Sequence, residues 1–499
     1  MKFVSTRGKS PAVSASQAIL NGIAPDGGLY VPEEFPALSK DDLETLQTMT
    51  YAERAAYIIS LYLTDYSYKD LEVYTKKAYS LFDGEDAAHI KLIEDDLYLM
   101  NLWHGPTQAF KDAALTLLPF LLTGARKITD APGKTLILVA TSGDTGKAAL
   151  EGFKNVDGTE IIVFYPADGV SDMQKLQMQT TTGDNVHVIG INGNFDDAQT
   201  AVKLFFKDAD AAAKCAEQGY YLSSANSINF GRLVPQIVYY ISAYLDIVAG
   251  DEGVDGEEIN FVVPTGNFGN VLAGYYAKKM GLPINKLIVA SNSNSVLTDF
   301  FALGRYDTNR PFIKTISPSM DILISSNLER LLFEYNERNG GKTADLMSRL
   351  DVQGLYNVDI DDFIDKLPEF AAFSTDEDET KQTIESFFDM TGELIDPHTA
   401  VAVSAFYNYC ESASDKNKTV VVSTASPYKF PQDVLTALTG KGGKDAFDAV
   451  KKLHSYTDEP VPKPIAALKT LPVLHTAVID KTKTKEAIFE ILANRSNRA

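Results

Sequence analysis

The stretch TLILVATSGDTGKAAL, residues 135–150, decides the fold class of this chain. Its first six residues are apolar or β-branched, as in a buried strand, and the Ser-Gly-Asp-Thr-Gly segment leads into residues with helical spacing. Strand-like runs at 161–165 and 186–191 alternate with helical patterns in the same way. This alternation predicts a mostly parallel sheet with helices on its faces.

A second βα series follows on the carboxyl side. Apolar residues recur every three or four positions from 232 to 248, which predicts one long helix. Strand-like runs follow at 260–263, 287–290 and 419–423. We therefore expect an α/β protein with two parallel-sheet domains.

Two helix starts in this half carry capping signals. Ser326 with Glu329 has the spacing of a capping box, and Asp396 followed by Pro397 predicts a capped helix start. The acidic stretch 359–379 is predicted to be solvated surface.

With 499 residues, the chain is too long for one compact core. We predict an N-terminal mixed α+β region, a large cofactor-binding domain in two segments, a small βα domain and a C-terminal region. Their bounds are 1–95, then 96–133 with 235–440, then 134–234, and 441–499.

Composition excludes several classes of function. The 46 basic and 67 acidic residues give a net charge of −21, which disfavours nucleic acid and anionic membranes as partners. Only two cysteines occur, and no apolar run reaches the length of a membrane span. The first twenty residues lack a signal-peptide pattern. We expect a metal-free cytoplasmic protein.

One lysine stands out in WHGPTQAFKDAALTLL, residues 103–118. Thr107 is predicted to cap a helix, which places Lys111 in the first turn. An ammonium is electrostatically misplaced there, and apolar neighbours further favour the neutral amine that can form a Schiff base. The competing interpretation is a lysine that reaches solvent from an ordinary amphipathic helix.

Two turns between a strand and a helix are candidate anion sites. In VPTGNFGN, residues 263–270, backbone amides and a helix start converge as a phosphate site requires, although a plain tight turn is about as consistent with the pattern. TSGDTG, residues 141–146, lacks the glycine and hydroxyl spacing of a nucleotide-binding loop. It suits a carboxylate, or it is an unliganded connection.

Several motifs together resemble one family. They are STRG (5–8), DGGLYVPE (26–33), HGPTQAFKD (104–112), TSGDTGKAA (141–149), NSINFGRLVPQ (226–236), PTGNFGN (264–270) and SSNLER (325–330). On these motifs the chain is similar, from about residue 5 to 430, to threonine synthases of the longer type found in fungi and many bacteria. These are pyridoxal-phosphate enzymes of fold type II, the tryptophan-synthase β-subunit fold, with the cofactor between two domains.

The resemblance implies that O-phospho-L-homoserine and water are converted into L-threonine and phosphate. Lys111 would hold pyridoxal phosphate as a Schiff base and carry protons, and Thr424 would bond the pyridine nitrogen. The cofactor phosphate would be held by Gly266, Asn267, Phe268, Gly269 and Asn270. The substrate carboxylate would be held by Ser142, Gly143, Asp144 and Thr145, and its phosphate by Ser227, Asn229 and Arg232.

The sequence leaves the roles of some residues open. Ser426 and Tyr428 replace the His and Ala of many relatives, which leaves their roles open. A surface or helix-start ion pair competes with the phosphate role of Arg232. His104 and His398 are more often structural in such positions than catalytic.

Two other functions compete with this one. One is another β-eliminating or β-replacing enzyme of the same fold. The other is a non-catalytic, threonine-synthase-like protein that binds a phosphorylated ligand or a protein partner. We expect a monomer or a homodimer.

Overall fold

The computed structural model describes residues 1–141, 143–168, 170–250 and 256–496. The strands are β1 (Lys2–Ser5), β2 (Val13–Ser14), β3 (Tyr30–Pro32), β4 (His89–Glu94), β5 (Leu97–Asn101), β6 (Lys134–Ala140), β7 (Thr159–Pro166), β8 (Val186–Asn192), β9 (Tyr220–Ser223), β10 (Ile259–Pro264), β11 (Ile284–Ser291), β12 (Arg305–Asp307), β13 (Leu355–Asn357), β14 (Phe370–Ser374), β15 (Thr419–Ser423) and β16 (Val478–Asp480).

The α-helices are α1 (Ala15–Asn21), α2 (Lys40–Gln47), α3 (Tyr51–Tyr62), α4 (Tyr68–Tyr79), α5 (Asp112–Leu115), α6 (Leu118–Ile128), α7 (Asp144–Phe153), α8 (Asp172–Gln179), α9 (Phe195–Lys207), α10 (Ala209–Glu217), α11 (Phe230–Gly250), α12 (Gly269–Lys279), α13 (Val296–Leu303), α14 (Leu328–Tyr335), α15 (Gly340–Gln353), α16 (Ile360–Lys366), α17 (Glu377–Thr391), α18 (Pro397–Ser412), α19 (Pro431–Thr439), α20 (Ala446–Thr457), α21 (Lys463–Ala467) and α22 (Thr484–Ser496). Short 3₁₀ turns lie at Asp83–Glu85, Pro318–Met320, Pro427–Lys429 and Lys481–Lys483.

The larger sheet has the strand order β14-β11-β10-β15-β5-β4. Its first five strands are parallel and β4 joins β5 antiparallel. Both faces are covered, because Phe261 and Val263 of β10 lie in one apolar cluster while Val262 lies in another. The predicted second βα series is confirmed.

The smaller sheet is entirely parallel, with the order β16-β8-β7-β6-β9. It confirms the predicted series that begins at residue 135. Its outer strand β16 comes from the C-terminal region, and β4 of the larger sheet begins at His89. The predicted domain bounds stay a prediction, and strand pairing crosses two of them.

The N-terminal region is built on a small antiparallel sheet in which β1 pairs with both β2 and β3. It is tied to the rest of the chain by Glu329, which accepts hydrogen bonds from the Thr6 hydroxyl at 2.6 Å and from the Arg7 guanidinium at 3.0 Å.

This role of Glu329 overturns the predicted capping box at Ser326. The cap of α14 is Asn327, which makes no side-chain capping bond, and the Ser326 hydroxyl donates to Asn267 instead. The Asp396 cap is confirmed, since its carboxylate accepts the amides of His398 and Thr399. The prediction of solvated surface over 359–379 is only partly correct, because Phe363 and Leu367 are buried and β14 pairs with β11 at the edge of the large sheet.

The long helix predicted from residue 232 is confirmed as α11, 21 residues in length. It packs against α3, α5 and α12 and so lies between the N-terminal region and the larger sheet. Within the part of the chain that the structure describes, no helix has both the length and the apolar character that crossing a bilayer requires.

Candidate active site

Lys111 lies immediately before the first residue of α5 and occupies its N-cap position. The predicted cap, Thr107, is wrong: its amide and hydroxyl both donate to the buried carboxylate of Asp112, at 2.8 and 2.5 Å. The helix therefore begins four residues later than the Thr107 cap predicts, and the turn between them is fixed by Asp112.

The Lys111 amine faces the interior and is enclosed by polar groups. Its Nζ donates to Ser319 Oγ at 3.0 Å and lies 3.7 Å from Asp144 Oδ2. Burial lowers the pKa of Lys111 to about 8, and the nearby charges of Lys429 and Arg232 act in the same direction. The amine is thus much closer to neutrality near physiological pH than an exposed lysine.

Asp144 is the counter-ion of this site. Its Oδ1 lies 2.8 Å from Nζ of Lys429 and accepts a bond of 3.1 Å from Gln174. Burial alone would raise the pKa of Asp144, but the ammonium groups of Lys429 and Lys111 hold it well below its usual range. Because its carboxylate is ionised and paired, only the backbone of Asp144 can bind a substrate anion.

Ser319 links Lys111 to Asp144 and to His398. Its hydroxyl lies between Lys111 and Asp144 Oδ2, the latter at 3.2 Å, and its amide donates to Nε2 of His398 at 3.1 Å. Nδ1 of His398 lies 2.7 Å from Asp396 Oδ1. His398 is therefore a buried positioning group, which agrees with the structural role expected for it.

The glycine-containing turn after β10 has the geometry of a close backbone approach. Phe268 has φ of 62°, and Asn327 holds the turn by donating its amide side chain to Asn267 O at 3.0 Å. A Cβ at Gly266 would come within 2.8 Å of Ser319 O. The backbone at Gly266 therefore lies close to Ser319, the residue bonded to Lys111, and position 266 has no room for a side chain.

Asn270 presents a hydrogen-bond donor without a partner. Its Oδ1 accepts from the hydroxyls of Tyr239 and Tyr240 at 2.7 and 2.8 Å, while its buried Nδ2 has no partner within the described residues. Buried donors are normally satisfied, so an unpaired one beside a glycine turn and the start of α12 fits an anionic ligand. The residues of this turn fit a cofactor phosphate.

The turn at 141–146 supplies amides at the start of α7. Ser142 lies outside the described residues. The Gly143 amide is already bonded to Thr141 Oγ1 at 3.0 Å, whereas those of Asp144 and Thr145 make no hydrogen bond to any described group. These two amides are the ones available to a carboxylate.

Thr424 is brought to Lys111 by backbone pairing. The Phe110 amide donates to Thr424 O at 2.8 Å, Ala109 and Ala425 form an antiparallel bridge, and the Ser426 amide donates to Gln108 O. The segment that follows β15 therefore lies alongside the segment that leads to Lys111.

Ser426 and Tyr428, whose roles the sequence left open, have structural roles. Ser426 Oγ accepts the Tyr428 amide and so caps a 3₁₀ turn, and the Tyr428 hydroxyl donates to Glu459 O at 2.5 Å. This turn places Lys429, whose Nζ also donates to Thr107 O at 2.9 Å.

Arg232 is buried and only partly satisfied. Nη1 donates to Ala225 O at 2.9 Å, and Nε has no partner among the described residues. Burial lowers its pKa to about 10. The alternative of a surface ion pair is wrong, because Arg232 is 4% exposed and pairs with no described carboxylate.

The two other predicted phosphate ligands differ from Arg232. The Asn229 side chain donates to Ile19 O at 2.9 Å and accepts the Gly231 amide at 2.9 Å, so it is committed to holding the loop. Ser227 is half-buried in the turn before α11. His104 lies stacked on Trp103, and burial lowers its pKa to about 4, which suits a structural ring.

Sequence reasoning missed Ser319, Lys429 and Gln174. Lys429 directly follows Tyr428, in the segment where Thr424 and Ser426 were already considered, and that position was the available signal. Ser319 is 208 residues from Lys111, and no local pattern distinguishes it.

The class of the protein follows from the fold and this site together. Residues 87–425 match the family model "Pyridoxal-phosphate dependent enzyme". With this match, the two largely parallel sheets and the buried Lys111 amine are those of a pyridoxal-phosphate enzyme of fold type II, so the expected fold class and cofactor are confirmed.

The remaining matches give the family. Residues 2–79 match "Threonine synthase N terminus" and residues 399–488 match "Threonine synthase, C-terminal". A threonine synthase from Pseudomonas aeruginosa is 38% identical over 88% of this chain and 91% of its own length. Threonine synthase-like 1 from Homo sapiens is 37% identical over 99% of this chain and 67% of its own.

A solved structure supports the same family. The threonine synthase from Brucella melitensis, described as bound to pyridoxal phosphate, superposes with a TM-score of 0.88 at 35% identity, covering 99% of each chain. The chain belongs to the threonine synthase family, whose members are lyases that act on small molecules.

Proposed function

We propose that this chain converts O-phospho-L-homoserine and water into L-threonine and inorganic phosphate, as the last step of threonine biosynthesis, in the cytoplasm. The observation that carries the proposal is the convergence of four distant segments on one amine. Ser319 contacts Lys111, Asp144 and the Gly266 turn, and backbone pairing adds Thr424.

The cofactor would be held by residues of these segments. Lys111 binds its carbonyl carbon, Thr424 its pyridine nitrogen, and the cradle of Gly266, Asn267, Phe268, Gly269 and Asn270 its phosphate. The unpartnered Asn270 Nδ2 supports this cradle. Pyridoxal phosphate supplies, when bound, a carbonyl that couples to an amine and a ring that accepts an electron pair.

The remaining residues act on the substrate. The amides of Asp144 and Thr145, with Gly143 setting the turn, bind the carboxylate. Ser142, which lies outside the described residues, is proposed as a further donor. Arg232, with Ser227, binds the phosphate through its unused Nε. Asn229 contributes by fixing the segment between Ser227 and the start of α11 rather than by contacting substrate.

Lys111 moves the protons. Its amine, with a pKa lowered to about 8, removes the Cα proton and later returns a proton to the substrate. A Cβ proton is then lost to the same amine, and its electron pair expels the phosphate from Cγ, where Arg232 balances the charge. Cγ gains a proton in return, and water adds its hydroxyl at Cβ. Asp144 stays ionised throughout and keeps Lys429 and Ser319 in place.

Purified protein with pyridoxal phosphate tests this function directly. Given O-phospho-L-homoserine, it should release threonine and inorganic phosphate in equal amounts, and Lys111→Ala should abolish both. Borohydride reduction followed by peptide mapping should label Lys111. Deamination of serine without phosphate release would instead indicate another β-eliminating enzyme of this fold.

A non-catalytic binding role is the second candidate, because one relative carries the name threonine synthase-like 1. The buried, poised amine of Lys111 argues against it, since a binder needs no nucleophile. Phosphorylated-ligand binding without turnover in the cofactor-loaded protein would favour this role.

A further inference from the structure

A cavity lies away from Lys111, between the N-terminal region and the small sheet. Its volume is about 700 Å³, within the range of small-molecule sites. The walls are the end of α1 with the loop after it, the end of α6, the start of β6 and the edge strand β9. Because the turn 141–146 follows the opposite end of β6, this cavity is separate from the active site.

Arg126 supplies an unneutralised positive charge to this cavity. It is 8% exposed, and only its Nη2 is bonded, to Ala131 O at 3.1 Å and Gly133 O at 2.7 Å. No hydrogen bond of its Nε or Nη1, and no carboxylate paired with it, occurs among the described residues. The guanidinium lies over the ring of Tyr221, another lining residue, at 5.6 Å from its centroid. Burial lowers the pKa of Arg126. Two separate N–H groups of the guanidinium are thus free for a ligand.

Thr135 gives an independent indication of a ligand. It lines the same cavity, is 1% exposed, and its Oγ1 is a buried hydroxyl without a partner in the described chain. Buried hydroxyls usually have a hydrogen-bond partner, and because Thr135 lines this cavity, a ligand or an ordered water there can supply one. Thr135 is two residues from Gly133, whose carbonyl holds the Arg126 guanidinium.

The other lining residues restrict the chemistry of the ligand. Leu20, Ile23, Ala24, Pro25, Pro132 and Leu222 are apolar. The single positive charge of Arg126 balances one carboxylate, whereas a dianionic phosphate commonly requires more cations or several backbone amides. The cavity therefore suits a monoanion with an apolar body.

We propose that this cavity is a second ligand site, which binds a small organic carboxylate through Arg126 and Thr135 and covers its apolar part with the end of α1 and β9. The proposal does not depend on the reaction assigned to Lys111.

The site adjoins the segment that leads into α11, the helix of Arg232. Ser223, a lining residue and the last residue of β9, donates to Leu20 O at 3.4 Å, and Asn229 donates to Ile19 O. These bonds tie the end of α1 to the end of β9 and to the segment before α11. A ligand here contacts the elements that position the active-site arginine without entering the active site.

Matched acid and amide probes test the proposal on the cofactor-loaded full-length protein. Linear carboxylates from butanoate to decanoate, together with hydrocinnamate, are each compared with their neutral amides by saturation-transfer NMR and calorimetry. We expect at least one acid to bind, with its amide at least about tenfold weaker, because a charge-assisted hydrogen bond is lost.

Variants then locate the binding. Arg126→Gln should abolish it, Thr135→Val should weaken it about threefold to tenfold because one hydrogen bond is lost, and Lys111→Ala should leave it unchanged. Equal binding of acid and amide, no binding by any acid, retention in Arg126→Gln or loss in Lys111→Ala would each overturn the proposal. The acid-to-amide comparison uses the unaltered protein, so it stands even where a variant folds poorly.

Discussion

Asp144 and Lys429 form an ion pair of 2.8 Å in the interior of the protein, where their side chains are 3% and 0% exposed. The pair matters because Asp144 also lies 3.7 Å from the Lys111 amine. Since Lys429 already balances the carboxylate, Lys111 does not have to remain charged to neutralise it. The arrangement allows a buried carboxylate and a neutral nucleophilic amine to lie side by side.

The first prediction concerns the ionisation of Lys111 in the cofactor-free protein. Only the neutral amine reacts with an amine-selective reagent, so labelling should rise with pH to a midpoint near 8, below the 10.5 of an unperturbed lysine. Labelling at several pH values, followed by peptide mapping, measures this midpoint. In denaturant it should return to 10.5; an unchanged midpoint on unfolding would contradict the burial argument.

The second prediction concerns Lys429→Met and Asp144→Asn. Removing Lys429 takes away a nearby positive charge and should raise the labelling midpoint of Lys111, whereas removing the Asp144 charge should lower it. Shifts in the same direction for the two variants would be inconsistent with this electrostatic account. Breaking the pair in Lys429→Met should also cost about 3 kcal/mol of unfolding free energy, measurable by urea titration.

The sequence was sufficient for the fold because its signals are local. The strand runs at 135–140 and 260–263 carry continuous apolar patterns that end in polar turns, and the structure has strands at both places. In the larger sheet β5, β15 and β10 are parallel neighbours, so the segments after them, which carry Lys111, Thr424 and the Gly266 turn, follow the same edge.

The errors arose where tertiary contacts compete with local capping. Thr107 and Ser326 have the residue type and spacing of caps, yet Asp112 and Asn267 take their hydroxyls. Ser319 could not be inferred, because its role depends on a turn that reaches Lys111 only in the folded chain. Capping patterns describe a helix start in isolation, and a buried site offers its residues other partners.

The third prediction concerns the tyrosines behind Asn270. Their hydroxyls orient the amide so that Nδ2, rather than Oδ1, remains free for the cofactor phosphate. Tyr239→Phe and Tyr240→Phe should each weaken pyridoxal-phosphate binding about fivefold, and the double variant more, because each removes a hydrogen bond worth about 1 kcal/mol.

Tyr62 provides the matched control for these variants. It is equally buried, and its hydroxyl has no partner in the described chain, so Tyr62→Phe should leave cofactor affinity unchanged. Equilibrium titration of the cofactor-free protein, followed by absorbance, gives the affinities. Equal effects of all three substitutions would mean that the tyrosines serve general packing only.

The last prediction separates binding of the substrate phosphate from chemistry. Arg232→Lys keeps a positive charge but loses the planar fork and the unused Nε. We expect KM for O-phospho-L-homoserine to rise about tenfold to a hundredfold, since a charge-assisted bond to phosphate contributes about 1.5–3 kcal/mol, and inhibition by inorganic phosphate to weaken in parallel.

Arg54→Lys is the control: Arg54 is also a buried arginine, but its guanidinium is bonded to Asp246 and Leu46 O. That variant should lose stability without a change in KM. If Arg232→Lys altered only the melting temperature, as Arg54→Lys is expected to do, Arg232 would be a structural residue and the phosphate would have to be held elsewhere.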